Sequence, residues 1–152
     1  MFIYPLIIAA IIAADQVTKI LVRSNIALGE RIPVIGDWMN FTYIRNEGAA
    51  FSMFSGNVLV TIVLTALLLV LCIALIIYEI KANDKGLALC LTCVLGGGIS
   101  NMFDRIYFGY VTDMNSCGSF AIFNVADMFV TCGCIIAIFL ILVGYKKEAH
   151  HE

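Results

Sequence analysis

The sequence predicts an all-α integral membrane protein with four transmembrane helices and a small β-sheet built from the first long loop. The chain of 152 residues is 62% hydrophobic and only 13% charged, with a mean hydropathy of +1.00. A soluble domain of this length is closer to half apolar and a quarter charged. The apolar excess falls into long runs, and about 20 helical residues cross a hydrocarbon core ~30 Å thick.

Four apolar runs have a length suited to these helices. The runs from Val58 to Ile77 and from Met128 to Tyr145 contain no charged residue. The first run begins without Lys or Arg and lacks the small-x-small motif of a cleavable signal peptide, so we interpret it as a retained helix. We place the spans approximately at 3–22, 58–79, 86–104 and 126–145, within a single integral membrane domain.

The loops between the runs differ in composition. The first, about 23–56, mixes Gly and Pro with β-favouring stretches such as "MNFTYI", which predicts a small sheet or hairpin at the membrane face. The second is the tight turn "KANDKG". The third, 106–124, contains Asp113 and leads into the fourth helix.

An even number of helices places both chain termini on one side of the membrane. On that side lie Lys81, Lys85, Lys146 and Lys147, and on the other lie Lys19, Arg23, Arg31, Arg45 and Arg105. A count of positive charges therefore does not decide the orientation. The second group is interleaved with acids, which indicates ion-paired networks rather than a topogenic signal. We therefore expect both termini to be cytoplasmic.

Several function classes have no support in the composition. The net charge of −2 and the lack of a basic stripe give no sign of nucleic-acid binding. Five of the six cysteines lie in predicted spans, where cysteine behaves as a small apolar residue. Zinc and iron–sulfur sites need converging ligands, and the only histidines, His150 and His151, are in the tail. We predict no metal and no cofactor.

Polar residues gather at one end of the predicted bundle. The set comprises Asp15 and Lys19 in the first helix, Asn46 in the first loop, Asn101, Asp104 and Arg105 in the third helix, and Asn124 and Asp127 at the start of the fourth. A charge at mid-membrane costs ~2.5–3.5 kcal/mol, so such residues usually pair, face the bundle interior or serve a function. Their convergence indicates a candidate site.

Most of these residues also have a purely structural interpretation. Asp15 and Lys19 have the i, i+4 spacing of a helix ion pair. Asn124 and Asp127 have the spacing of a helix cap, and the "GGG" at 96–98 allows close helix approach in lipid. Asp113 has no such interpretation, because it lies neither at a helix start nor in an obvious ion pair.

A short connection returns Asp113 towards Asp127. Two carboxyl groups brought close together cannot both ionise cheaply, so one keeps a proton while the other stays charged. The ionised acid can take a proton from water, and the neutral acid can donate a hydrogen bond to an amide carbonyl. Hydrolysis of an amide bond is therefore one hypothesis.

Two other classes of protein use similar helices. A small proton-coupled transporter would place a carboxylate near the middle of a span, often with inverted repeats or broken helices, and the sequence has neither. A non-catalytic assembly or chaperone subunit would use the polar groups only as helix caps. In that case the replacement of Asp127 by Asn would lower only the folded yield.

Five motifs, in order, carry a resemblance to a known family: "DQVTK", "FTYIRNEGAAFS", "GGGISNMFDR", "GYVTDM" and "FNVAD". On these motifs the sequence resembles lipoprotein signal peptidase, or signal peptidase II, a family of bacterial intramembrane aspartic proteases, over nearly the whole chain. The resemblance implies a bacterial cell-membrane protein with four transmembrane helices and cytoplasmic termini. It also implies an extracytoplasmic sheet that cradles the substrate beside a catalytic pair.

The resemblance further implies a reaction and the residues that perform it. Family members remove signal peptides from prolipoproteins by cleaving before a cysteine that carries diacylglycerol, and globomycin-type inhibitors block the catalytic pair. Carried onto this sequence, the catalytic residues are Asp113 and Asp127, and the supporting residues are Asp15, Lys19, Asn46, Asn101, Arg105 and Asn124. The expected partners are lipidated prolipoproteins, membrane lipid and such inhibitors, and the chain is expected to be a monomer.

Two positions depart from the pattern of the family. Ala121 stands where a proline often precedes the "FN" motif, and Met114 stands where an aromatic residue often follows the first catalytic aspartate. These departures concern the geometry of the third loop and substrate preference rather than the chemistry.

Overall fold

Four long helices form the body of the protein. The computed structural model describes residues 2–36, 38–48, 57–118 and 121–149. The helices are α1 (Ile3–Asn25), α2 (Val58–Lys81), α3 (Lys85–Phe108) and α4 (Val125–Ala149). All four are long and apolar enough to cross a membrane, α4 over Val125–Gly144. The predicted four-helix membrane fold is confirmed.

A four-stranded antiparallel sheet lies at one end of the bundle. Its strands are β1 (Arg31–Ile35), β2 (Met39–Asn46), β3 (Val111–Cys117) and β4 (Ala121–Phe123), hydrogen-bonded in that order. The first loop supplies β1 and β2, as predicted. The third connection supplies β3 and β4, which the sequence does not predict as strands. Residues 49–56, which include the end of the "FTYIRNEGAAFS" motif, lie outside the described residues.

Strand β3 is buried although its sequence is polar. Six of its seven residues are buried, because β3 pairs with β2 on one side and β4 on the other. The strand also packs against α1 and α3. A strand of this composition has no apolar periodicity, so only the tertiary environment identifies it.

Helix α3 is the centre of the bundle, and three consecutive glycines each face a different neighbour. A Cβ on Gly96 would lie 3.2 Å from Ile11 of α1, and one on Gly98 would lie 2.7 Å from Leu69 of α2. A Cβ on Gly97 would lie 2.5 Å from the Ala126 carbonyl oxygen of α4. Successive helical residues point about 100° apart, so the three glycines allow three different helices to pack closely against α3.

The end of α3 directs the chain into the sheet. Gly109 ends the helix in the left-handed conformation, with φ at 79°, and its N–H donates to the Arg105 carbonyl. A side chain is strained in this conformation, so glycine suits the position. The turn brings β3, and with it Asp113, back across the ends of α1 and α3.

Candidate active site

Helix α4 begins with a reciprocal cap. Asn124 Oδ1 accepts a hydrogen bond from the Asp127 backbone N–H at 2.9 Å, and Asp127 Oδ2 accepts one from the Asn124 N–H at 3.1 Å. This is the capping arrangement that the spacing predicts. The other carboxylate oxygen, Asp127 Oδ1, accepts a hydrogen bond from Asn101 Nδ2 on α3 at 2.8 Å. The half-buried Asp127 therefore caps a helix and also contacts a second polar side chain.

Asp113 lies in the middle of β3 and is only 2% exposed. Its Oδ2 accepts a hydrogen bond from Asn46 Nδ2 of the neighbouring strand β2 at 3.0 Å. Its Oδ1 accepts one from Asn124 Nδ2 at 2.8 Å. Both oxygens of this buried carboxyl group are thus held by neutral amide groups.

Asn124 links the two acids. Its side-chain amide donates to Asp113 and also to Asn101 Oδ1, at 3.1 Å. Asn101 in turn donates to Asp127 through its own amide nitrogen. Two asparagines from α3 and the start of α4 therefore join a strand carboxyl group and a helix carboxyl group in one hydrogen-bonded network.

The environment of Asp113 favours its protonated form. Burial raises the pKa of this carboxyl group from its ordinary value of 3.8 to about 6, and the negative charge of Asp127 adds to the effect. The hydrogen bonds from Asn46 and Asn124 and the charge of Lys19 act in the opposite direction. A carboxyl group in this range can hold or release a proton near neutral pH.

A fully buried cluster of charges supports the network from the side of α1. Lys19 Nζ forms ion pairs with Asp15 Oδ2 at 2.7 Å and Asp104 Oδ2 at 3.0 Å, and all three side chains are completely buried. Its third contact is a hydrogen bond to Asn101 Oδ1 at 2.9 Å. Because Oδ1 of Asn101 receives this donor, the amide nitrogen of Asn101 is left to face Asp127.

Asp15 connects the charge cluster to the start of α4. Its Oδ1 accepts a hydrogen bond from the Ala126 backbone N–H at 2.8 Å, and its Oδ2 accepts one from Ser100 Oγ at 2.7 Å. The free N–H groups of a helix start need such acceptors. The predicted pair of Asp15 and Lys19 is thus present, and Asp15 also fixes the turn that carries Asp127.

Several residues of this network are absent from the catalytic and supporting residues that the resemblance implies. Asp104 accepts a hydrogen bond from the Thr112 N–H at 3.2 Å and one from Gln16 Nε2 at 3.0 Å. Arg23 Nη1 donates to Thr112 Oγ1 at 3.0 Å. Gln16, Ser100, Asp104 and Thr112 lie within the motifs that carry the family resemblance, and Arg23 lies outside them. The sequence could have predicted that Asp104 belongs to the network, because Asp104 lies three residues after Asn101 and therefore on the same helix face.

Arg105 ties α3 to the chain that follows β2. Its Nη2 donates to the Gly48 carbonyl at 3.0 Å, and its Nη1 donates to the Asn101 carbonyl at 3.3 Å. Its Nε is buried without a hydrogen-bond partner among the described residues. The structure thus shows Arg105 at the edge of the network.

The structure brings the predicted site residues together, and their roles stay predictions. Five side chains, those of Asp15, Lys19, Asn46, Asn101 and Asn124, join the two acids through direct or shared hydrogen bonds, and Arg105 contacts this network at the backbone carbonyl of Asn101. Among the residues that the structure describes, no three His, Cys, Asp or Glu side chains form a group suited to a metal ion. We therefore assign no residue as a metal ligand.

Comparison with known proteins shows the family of this chain. Residues 7–143 match the family described as signal peptidase (SPase) II. The chain is 39% identical over 153 residues to a lipoprotein signal peptidase of Streptococcus thermophilus, covering 97% of this chain and 96% of that protein. It is 36% identical over 151 residues to a lipoprotein signal peptidase of Clostridium acetobutylicum, covering 94% and 96%.

Solved structures share the fold. A bacterial membrane enzyme determined by the in meso method at 2.3 Å resolution aligns with a TM-score of 0.86 and 27% identity, over 97% of this chain and 92% of that one. A second, determined at 1.9 Å resolution, aligns with a TM-score of 0.78 and 28% identity, over 93% and 94%. Four membrane helices, an end sheet and the matched family together establish that this multi-pass membrane protein belongs to the signal peptidase II family.

Proposed function

We propose that this chain is an aspartic endopeptidase that removes signal peptides from prolipoproteins, cleaving before a cysteine that carries diacylglycerol. The observation that carries the proposal is the pair of acids, Asp113 and Asp127, joined through Asn124 and Asn101 in one network. Membership of the signal peptidase II family supports the substrate class. The whole chain would act as one membrane-embedded peptidase domain, as a monomer.

The two acids have complementary tasks in this reaction. Together they hold one proton and bind one water molecule, so the pair titrates as a unit. The ionised carboxylate takes a proton from the water, whose oxygen attacks the scissile carbonyl carbon, while the protonated acid donates a hydrogen bond to the carbonyl oxygen. The tetrahedral intermediate then collapses, the C–N bond breaks, and the leaving amine takes the proton removed from the water.

The supporting residues keep this pair in position. Asn124 contacts Asp113 and the backbone of Asp127, so it sets the relative orientation of the strand and the helix. Lys19 fixes the side-chain amide of Asn101, whose nitrogen donates to Asp127. Since all these groups come from packed elements, the acids are held in place before the substrate binds, which favours the transition state.

The orientation in the membrane follows from the same proposal. Both termini would face the cytoplasm, and the sheet and the acids would lie near the extracytoplasmic face of the bacterial cell membrane. The substrate, with its acyl chains and helical signal peptide, would enter from the lipid between the helices. Globomycin-type inhibitors would act by occupying the acid pair.

The test is cleavage of a diacylglyceryl-modified prolipoprotein peptide by purified protein in detergent. We expect Asp113→Asn and Asp127→Asn to reduce kcat by at least about 10³-fold, since each removes one half of the acid–base pair. The control is Asp84→Asn, because Asp84 caps α3 at its other end and Asn keeps that cap.

Each variant is first compared with the wild type by thermal unfolding. If both site variants unfold like the wild type and have lost cleavage, the acids are a catalytic pair. A correctly folded variant that cleaves at a rate near that of the wild type shows that the assignment is wrong, and Asp127 is then only a helix cap.

A further inference from the structure

A ladder of cations and aromatic rings lies on the surface beside the acid network. The Arg23 guanidinium lies over the Phe108 ring, 4.5 Å from its centroid, and the centroids of Phe108 and Tyr110 are 5.9 Å apart. The Arg45 guanidinium lies over Tyr110 at 4.7 Å. The ladder spans the end of α1, the end of α3 and strand β2, and none of its contacts is used by the proposed reaction.

The two arginines differ in how their charge is balanced. Arg23 Nη1 lies 3.9 Å from the buried Asp104 and donates to Thr112. Arg45 is exposed, and within the described part of the chain it forms no ion pair with a carboxylate. Its Nε donates to Tyr43 Oη at 3.1 Å, and its two terminal nitrogens carry the remaining N–H donors of the guanidinium, beside the Tyr110 ring.

The two phenols near Arg45 leave one further donor. Tyr43 Oη and Tyr110 Oη are 3.2 Å apart, so one donates to the other and a single O–H proton is left over. Tyr43 is buried and Tyr110 is partly exposed. Tyr43 Oη also accepts a hydrogen bond from Arg45 Nε, so the two phenols and the guanidinium form one hydrogen-bonded group that keeps one O–H donor.

The ladder lies at the level where a membrane helix ends. Phe103, Ile106 and Tyr107 on the last turns of α3 are exposed, Tyr107 at 73%. Exposed aromatic residues at the end of a membrane helix are typical of the headgroup level of a bilayer. The Arg45 guanidinium, stacked on the Tyr110 ring at that level, is within reach of the phosphate groups of the lipids.

We propose that Arg45 and Tyr110 bind the phosphate of an anionic phospholipid headgroup, of the phosphatidylglycerol type, beside the acid network. The guanidinium offers a planar pair of donors that matches phosphate oxygens, and the pair of Tyr43 and Tyr110 adds one O–H donor. Tyr43 and the Tyr110 ring hold the guanidinium in place. Because Arg45 precedes Asn46, which donates to Asp113, the bound lipid anchors the strand that supports this acid.

Lipid binding is measured by native mass spectrometry of the purified protein, without any peptidase substrate. The protein is titrated with phosphatidylglycerol, phosphatidylcholine and diacylglycerol of equal acyl length, and separately with inorganic phosphate. We expect the wild type to bind phosphatidylglycerol most tightly. Arg45→Gln should weaken this binding about tenfold, and Tyr110→Phe, which keeps the ring, about fivefold.

The matched control is Arg31→Gln, which removes the same charge from an exposed position on β1 of the same sheet. We expect this variant to bind phosphatidylglycerol like the wild type. Thermal unfolding checks that each variant is folded, and Tyr110→Phe keeps the test valid if Arg45→Gln is unstable.

Three results would overturn the proposal. Unchanged phosphatidylglycerol binding in Arg45→Gln and Tyr110→Phe would remove the site. Equal losses in Arg31→Gln and Arg45→Gln would mean that only net charge matters. Equally tight binding of diacylglycerol, or displacement of the lipid by inorganic phosphate at the same concentration, would mean that no lipid headgroup is recognised.

Discussion

At Asp113 a carboxyl group is buried in a polar strand and accepts hydrogen bonds from two neutral amides. Its pKa of about 6, raised mainly by burial, means that the folded protein binds this proton more tightly than the unfolded chain does. Folding is therefore favoured when the group is protonated. Burial makes the ionised form of Asp113 unfavourable, and a carboxyl group perturbed in this way is typical of a functional site.

Wild-type stability should therefore fall as the pH rises through the window from about 4 to about 6 and stay lower above it. The pKa difference corresponds to about 3 kcal/mol in the free energy of unfolding. We expect Asp113→Asn, which cannot ionise, to show a smaller loss. Thermal unfolding in detergent at about pH 4.5 and about pH 7.5 measures both proteins, and equal losses would contradict the assigned pKa.

Lys19 is the single lysine in a completely buried cluster with Asp15 and Asp104. Removal of one partner from such a cluster leaves uncompensated buried charge, which costs about 3–5 kcal/mol. We expect Lys19→Met to lose stability by this amount in a denaturation experiment.

The double variant Asp15→Asn with Lys19→Met tests the reason for that loss. It removes one negative charge together with the positive one, so it should recover part of the stability. If the double variant is less stable than Lys19→Met by the full cost of Asp15→Asn alone, charge balance is not the reason.

At the scale of elements, α3 and α4 approach each other through glycines. A Cβ on Gly97 would lie 2.5 Å from the Ala126 carbonyl oxygen, and one on Gly133 would lie 2.8 Å from the Cys90 carbonyl oxygen. Backbone atoms cannot move aside as flexible side chains can. The "GGG" motif predicts the first contact, whereas the isolated Gly133 carries no comparable signal.

The substitution Gly97→Ala should therefore push the start of α4 away from α3. We expect a clear drop in unfolding temperature together with loss of cleavage, because Ala126 directly precedes Asp127. The matched control is Gly144→Ala, since a Cβ at that helical position has nothing within 4 Å. An unfolding temperature of Gly97→Ala equal to that of Gly144→Ala would contradict the close contact.

The acid network draws on elements that are far apart in the chain. Asn46 comes from β2, Asp113 from β3, Asn101 from α3, and Asp127 from α4. Taken alone, the start of α4 gives Asp127 an ordinary capping role, whereas β3 gives Asp113 neither a capping nor a pairing role. The network exists only because β3 lies between β2 and β4 and across the ends of α1 and α3.

At the scale of the whole molecule, four membrane helices leave both termini on the side opposite the sheet. We expect a C-terminal fusion to green fluorescent protein to fluoresce in bacterial cells and a C-terminal fusion to alkaline phosphatase to be inactive, because the proposed orientation keeps both in the cytoplasm. The reverse pattern would place the sheet and the acids in the cytoplasm. Equal expression of both fusions, measured by immunoblot, is the control.

The sequence by itself determined the four apolar helices, the hairpin of the first loop and the gathering of polar residues at one end. These features follow from hydropathy, composition and short spacings, which act within one segment of chain. The ordered motifs also identified the family that the matched relatives establish.

Only the tertiary structure decided how those residues meet. Contacts between distant segments of the chain decide three features. These are the strands β3 and β4, the hydrogen bond from Ala126 to Asp15, and the position of Gly133 against α3. The sequence of β3 is polar, so no local pattern reveals that it is buried. The pairing of β3 and the raised pKa of Asp113 are caused by the residues that surround the strand, and only the packing of the whole molecule brings those residues there.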